Sequence, residues 1–437
     1  MPIDKSKTFI LKSGKCSWGN CIYCGYGKIE GFEPTAENVN RDLDGFFKIV
    51  DETTEQIKIF GSGSFLDEKQ FPIASRKYLV DLCKKHSIKQ LLFESRPEFI
   101  TDETLKPFKD QDYTVAIGLE IADNKTLKDI KKGFTVEQYE KAAKTIHKNN
   151  GKVRTYLLIN LPYVKDIQKS LDTSVEFALN YSDSIVLINL YPHSSAKMID
   201  LYLDLKWRPL DRNQFKKVTG KWKTNKKIEI DFETFAFTPR IPEQMKCELE
   251  GADEKNLNHP HYEIWQDYFT RFYTPPKVKD TILFLPCAFR KPYSLSKTHK
   301  EILKRIQNLH FYARIHQVMI SNPGVIPREF ESKYPFAHYD WPEWEETEDL
   351  KKQYTKVTQR RIEDYLKAHR YKKYMCYFKQ ESESYIALKN ACKKLDIELI
   401  QLFDKTLYKD NMPETNVLVK RRALDAMVTR LKKEMKR

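Results

Sequence analysis

Three cysteines stand within nine residues of one another near the start of this 437-residue chain, in "KCSWGNCIYCGYG" (15–27). Thiolates are soft donors, so Cys16, Cys21 and Cys24 at that spacing point to zinc or to iron. A structural zinc wants four protein ligands, yet the first histidine is His86 and no second cysteine pair follows. A [4Fe–4S] cluster held by three cysteines leaves one iron open to a further ligand, and the missing fourth ligand is the informative feature. The other five cysteines, Cys83, Cys247, Cys287, Cys376 and Cys392, are scattered singly, which suits a reducing compartment and no disulfide framework.

A loop of this kind needs a scaffold, and the chain supplies one by alternation. Strand-like runs at 7–11, 57–62, 90–95, 113–120, 153–160, 184–191 and 227–232 are separated by stretches with apolar residues at helical spacing, such as 75–86 and 135–150. Strand, helix and strand in repetition predict a parallel sheet, and six or more units predict an α/β fold of partial (βα)6 barrel type with its chemistry at the carboxyl ends of the strands. Residues 236–279 break the pattern with one helix near 259–273 that ends at Pro275–Pro276. A smaller three-layer α/β domain follows, with strands at 281–287, 316–321, 373–378 and 397–402 and a long charged helix near 346–369. The expected organisation is 1–235 for the first domain, 236–279 for a helical connector, 280–415 for the second domain and 416–437 for a basic terminal helix. That helix carries Leu424, Val428, Leu431 and Met435 on one face among eight basic and two acidic residues. It reads either as a docked helix with a solvated face or as a rail for RNA phosphates.

Seventy-six Lys+Arg against 61 Asp+Glu give a formal charge of +15, which favours a polyanionic partner but also fits a solvated basic surface. With 41% hydrophobic and 13% aromatic residues the chain is not disordered. No apolar run approaches the ~18–20 residues of a membrane span and the opening lacks a secretory stretch, so a cytoplasmic place is expected.

Three further segments end strands where the cysteine loop would need company. "FGSGSF" (60–65) brings Gly61, Ser62, Gly63 and Ser64, "FESRPEFIT" (93–101) brings Glu94 and Arg96, and "AIGLEIADNKTLKDIKKGFT" (116–135) brings Glu120. Together with the cluster these resemble the radical S-adenosylmethionine superfamily. The commonest motif there has three residues between its first two cysteines, whereas four (17–20) separate them here. The resemblance implies a [4Fe–4S] cluster on Cys16, Cys21 and Cys24, whose open iron chelates S-adenosylmethionine, and an external electron donor. It further implies Tyr23 against the adenine, the glycine-rich turn at the methionine amino group, and Glu94 and Glu120 accepting from the amino group or the ribose. Arg154 on the fifth strand would pair with the cofactor carboxylate, or is an ordinary surface charge.

Residues 5–235, above all 118–162 and 188–210, look like the radical enzymes of archaeosine synthesis in archaeal tRNA (the RaSEA family). "PCAFRKPYSLSKTH" (286–299) matches the Pro-Cys-x3-Lys-Pro-Tyr-x2-Ser-x2-His pattern of the ArcS family, which joins lysine to the 7-cyano-7-deazaguanine base in the same pathway, and 324–342 also resembles that family's core. The two resemblances imply a radical step that breaks the lysine carbon–nitrogen bond of a base in the tRNA D-loop and leaves an amidine. In the second domain Cys287 would attack a nitrile, with His299 or Lys291 managing the proton. Alternatively Cys287 is a small buried residue and Lys291, Tyr293, Ser296 and His299 form an RNA- or lysine-binding patch. No transglycosylase-like barrel or PUA-like module is evident, so either the basic surface suffices to hold tRNA or a separate ArcS or PUA-containing subunit supplies the grip. Rival readings are a radical tRNA thiolation or carboxymethylation enzyme, and a non-catalytic RNA-binding protein with zinc.

Overall fold

In the computed structural model, which describes residues 5–232, 237–404, 406 and 417–436, the N-terminal alternation becomes seven strands. They are β1 (Ser6–Leu11), β2 (Gln56–Gly61), β3 (Gln90–Glu94), β4 (Asp112–Glu120), β5 (Lys152–Ile159), β6 (Ser184–Asn189) and β7 (Ile228–Asp231). All neighbours are parallel and the spatial order is the chain order, so successive βα units extend the sheet in one direction and it curls into a half-barrel. The seven strands fall on the seven strand-like runs of the sequence. The chain divides into Met1–Phe237 and Thr238–Arg437, and the expected domain limits at 235/236 and 415/416 lie outside the described residues.

The two faces of the sheet separate by residue type. On β5, Val153, Thr155, Leu157 and Ile159 are buried, whereas Arg154, Tyr156 and Leu158 on the other face are partly open. Helices cover the apolar face. One of them, Val136–Lys148, begins in "TVEQ", where Thr135 and Gln138 cap each other's backbone N–H groups. Tyr139, Ala142, Ala143 and Ile146 recur at helical spacing on its buried side. Phe65, Phe71, Phe93, Phe108 and Tyr113 interlock beside β3 and the start of β4, with ring centroids 4.5–6.0 Å apart.

The second unit is built on a five-stranded sheet. Two-residue β8 (Leu249–Glu250) precedes β9 (Thr281–Pro286), β10 (Ile315–Ser321), β11 (Gly324–Pro327), two-residue β12 (Tyr339–Asp340), β13 (Lys373–Cys376) and β14 (Leu399–Gln401). The sheet order is β11-β10-β9-β13-β14, all parallel except the β10–β11 hairpin, and β8 pairs with β12 outside it. The helix Glu348–Ala368 buries Arg361, which donates to the Asn322 and Leu257 carbonyls (2.6 and 2.9 Å) and pairs with Glu263 at 2.7 Å. The terminal helix Arg421–Lys436 is docked: Leu424, Met427, Leu431 and Met435 are buried and Arg305 pairs with Asp425 at 2.5 Å. No helix among the described residues is long and apolar enough to cross a membrane.

Candidate functional site

The cysteine loop leaves β1 and is held from three sides by backbone contacts that do not involve sulfur. Ile22 N–H donates to the Ile130 carbonyl (3.1 Å), Met198 N–H to the Ile22 carbonyl (2.9 Å), and the Trp18 indole to the Lys131 carbonyl (2.8 Å). Gly25 packs on His193 so closely that a Cβ would fall 1.8 Å from its Nδ1, which explains a glycine beside Cys24. Burial raises the Cys24 thiol, while the Gly27 and Tyr26 backbone N–H groups favour its thiolate. The donor set is three thiols, which suits iron in a cubane cluster.

Next to the loop a buried polar knot closes the end of β4. Lys132 Nζ donates to Glu120 Oε1 (2.6 Å) and to the Tyr23 hydroxyl (2.8 Å), and Tyr23 donates to the same carboxylate oxygen (3.0 Å). The Lys132 and Glu120 side chains are only 9% and 8% exposed. Glu120 sits at φ +69° where the β4–β5 register shifts between Gly118 and Glu120, a conformation that its surroundings must impose. Tyr23, between two cluster cysteines, is thereby tied to the sheet end. Lys132 escaped sequence reasoning because nothing about "DIKKGF" distinguishes it from the many solvated lysines.

The glycine-rich turn after β2 is fixed by Gln70, a residue with no sequence signal of its own. Its Oε1 accepts from Ser64 N–H (2.6 Å), its Nε2 reaches Ser62 Oγ (3.4 Å), and its carbonyl accepts from Ser13 Oγ (2.5 Å). A Cβ at Gly63 would lie 2.1 Å from Gln70 Oε1, so this turn cannot carry a larger residue without losing that clamp. Ser64 Oγ in turn accepts from Arg96 N–H at 3.1 Å and joins Gly61–Ser64 to the end of β3.

Arg96 and Arg154 differ in how far they are already engaged. Arg154 Nη2 donates to Glu229 on β7 at 2.5 Å, so it is already paired. Arg96 is buried with its guanidinium 5.3 Å from the ring centroids of both Trp18 and Phe134. Its Nε pairs with Glu98 (2.5 Å) and its Nη1 donates to the Lys132 carbonyl (3.0 Å), while Nη2 has no partner among the described residues. Glu94 ends β3, and burial pushes its carboxyl up to about 7, with Gly61 N–H and Lys132 pulling the other way and Glu120 adding to the rise. The folded state therefore holds the Glu94 proton more tightly than the unfolded chain, so ionising it costs stability as pH rises from about 4.5 to 7. Glu94→Gln is expected to remove about 2 kcal/mol of that slope, read by urea unfolding at pH 5 and pH 8.

In the second unit the Pro-Cys…His segment splits into two groups. His299 is fully buried; its Nε2 donates to the Pro286 carbonyl (2.9 Å) and its Nδ1 accepts from Arg328 (2.8 Å). Burial and Arg328 lower it to about 3, so it stays neutral and has no nitrogen left over for Cys287. Ser296 Oγ caps the helix Lys297–Ile306 by accepting from His299 N–H (3.2 Å), and Tyr293 is buried with its hydroxyl 2.6 Å from that of Tyr339. Cys287 and Lys291 are brought together instead with Glu343. The thiol lies 3.9 Å from Glu343 Oε1 and Lys291 Nζ lies 3.9 Å above the Tyr339 ring. Burial, reinforced by Glu343, pushes the Cys287 thiol up to about 12, which opposes a standing thiolate nucleophile.

Residues 10–173 match the family model of the radical SAM superfamily, and residues 263–416 match that of a domain of unknown function, DUF5591. Archaeosine synthase subunit beta of Methanosarcina acetivorans is 32% identical over 194 residues, which cover 41% of this chain and 56% of that protein. Archaeosine synthase subunit alpha of Thermoplasma acidophilum is 30% identical over 131 residues, covering 29% of this chain and 24% of that protein. Among solved structures, the queuine lyase from Clostridium spiroforme bound to SAM and queuine aligns with a TM-score of 0.39 at 17% identity, over 55% of this chain and 93% of that one. The matches thus span about half of the beta subunit and about a quarter of the alpha subunit.

Proposed function

We propose that this chain, a radical SAM protein related to archaeosine synthase subunit beta, breaks the lysine carbon–nitrogen bond of a lysine-bearing 7-deazaguanine base in tRNA and leaves the archaeosine amidine. The observation that carries the reading is the loop of three cysteines tied to the glutamate–lysine–tyrosine knot at the carboxyl end of β4, in a chain similar to both subunits of one synthase. A [4Fe–4S] cluster held there supplies, when bound, the electron that splits S-adenosylmethionine into methionine and a hydrogen-abstracting 5′-deoxyadenosyl radical.

This chain's residues do the positioning. Cys16, Cys21 and Cys24 are the cluster ligands. Tyr23, fixed by Lys132 and Glu120, offers its ring to the adenine, and the Gly61–Ser64 turn, held rigid by Gln70, offers backbone to the methionine amino group. Arg96 Nη2 is a buried cation nitrogen with no partner among the described residues and suits a carboxylate better than the paired Arg154 does. Glu94, near neutrality in its titration, can accept from a ribose hydroxyl or an ammonium. The +15 charge supports a tRNA substrate, and an alpha-type subunit is the partner that the relatives' names suggest. Lys291, beside Cys287 and Glu343, would contact the base or the lysine in the second unit.

The test supplies tRNA carrying the lysine adduct, the anaerobically reconstituted protein, a reductant and S-adenosylmethionine, and reads nucleosides by mass. Archaeosine together with 5′-deoxyadenosine is the expected result. 5′-Deoxyadenosine with an unchanged adduct overturns the substrate assignment. A parallel arm with the cyano base and free lysine reads whether addition also occurs on this chain.

A further inference from the structure

Outside the cysteine loop, one group of described residues gathers metal-ligating atoms. Cys247, His259 and His261 each place a ligand atom within 4.8 Å of the other two. The Cys247 Sγ to His259 Nε2 distance is 3.6 Å, and a tetrahedral zinc with ordinary Zn–S and Zn–N bonds holds its sulfur and nitrogen about 3.6 Å apart. A thiol–imidazole hydrogen bond alone would give a similar distance, so the third ligand and its support carry the distinction.

His261 is 6% exposed and its Nδ1 lies 2.8 Å from the Tyr334 hydroxyl, which leaves Nε2 for a metal. The same hydroxyl accepts from Cys247 N–H (3.2 Å) and lies 3.6 Å from Cys247 Sγ. One phenol thus orients two of the three ligands, which is what outer-shell partners of metal-bound histidines do. The ring of His259 lies 4.6 Å from that of His261, centroid to centroid, and Cys247 is exposed, so ions have access. Two imidazoles and a thiolate select zinc among common divalent ions.

We propose that Cys247, His259 and His261 bind a zinc ion whose fourth position is left to water, and that the ion clips the segment around β8 to the start of the helix Pro260–Arg271. That segment has few buried residues of its own, Leu249, Asn256 and Leu257 among them, so a metal crosslink has more effect there than in a well-packed layer. Loading releases the Cys247 thiol proton to solvent. It also moves the His259 ring proton from Nε2 to Nδ1, so the 3.2 Å contact from His261 N–H to His259 Nδ1 is exchanged for the metal bond.

The test uses the full chain and is independent of the radical reading. Zinc and iron per chain are measured by plasma mass spectrometry after dialysis against a weak chelator, and the zinc K-edge absorption spectrum is recorded. One zinc with one sulfur and three nitrogen or oxygen neighbours, two imidazoles and a water, is expected. It should persist in the full-length Cys16→Ala/Cys21→Ala/Cys24→Ala chain, which excludes zinc lodged in the cluster loop. Cys247→Ser should lower zinc affinity at least ~100-fold while iron is retained, and Tyr334→Phe about 10–100-fold. A wild-type chain that takes up no zinc at ~10 µM free metal overturns the proposal, as does a sulfur count other than one. Undiminished zinc in folded Cys247→Ser does so as well. Should the serine variant fail to fold, the wild-type spectrum alone decides.

Discussion

Replacing Cys24 by alanine is expected to abolish 5′-deoxyadenosine formation, a loss of more than ~10³-fold or about 4 kcal/mol of barrier, while leaving the chain folded. The thiol is partly buried and backed by the Tyr26 and Gly27 N–H groups, which stabilise a thiolate there. Two remaining cysteines cannot retain a site-differentiated cluster. The loop should nevertheless keep its course, because the anchors of Ile22 to Ile130, Met198 to Ile22 and Trp18 to Lys131 are made by backbone and indole atoms. Iron content, the paramagnetic resonance signal of the reduced protein and far-ultraviolet dichroism separate these outcomes. Any lysine addition by Cys287 and Lys291 of the second unit should survive the substitution. Joint loss of both activities would show that the two units do not act separately.

Why the first cluster was legible and the second was not follows from locality. Cys16, Cys21 and Cys24 are neighbours in sequence, and their chemistry can be read without a fold. Cys247 and His259 are twelve positions apart and gain their meaning only when Tyr334 arrives from the far side of β11. The seven parallel strands were visible because each is an apolar run flanked by helical periodicity, the pattern of a sheet covered by helices. β11 was not, since "NPGVIP" leaves only three residues between its prolines and reads as a loop. β8 and β12 are two residues each, too short for any period to appear. Ser296 and His299 show the opposite error. Ser-x-x-His fits a substrate patch, but a serine three residues before a helical N–H is also a cap signature, and the cap is what the fold uses.

Lys132→Met is expected to destabilise the first unit by about 3–5 kcal/mol at pH 7, because it strands a buried carboxylate without its cation. Glu120 would keep only the Tyr23 hydroxyl. Lys132 also holds the Glu94 carboxyl down, so its removal should raise that group above its present value of about 7. The sign is then fixed: the variant binds a proton that the unfolded chain has lost, and its stability falls as pH rises from about 4.5 through neutrality, more steeply than in the parent. The double variant Lys132→Met/Glu120→Gln removes both charges and should recover most of the loss, and the double-mutant cycle gives the coupling directly. Stability and cofactor binding need not recover together. Tyr23 would still lack its lysine donor in the double variant, so the KM for S-adenosylmethionine should remain raised ~10-fold or more even where thermal unfolding is nearly normal. A single variant that melts with the parent at every pH would mean that Glu120 is solvated, free of Lys132 and open to the cofactor's amino group.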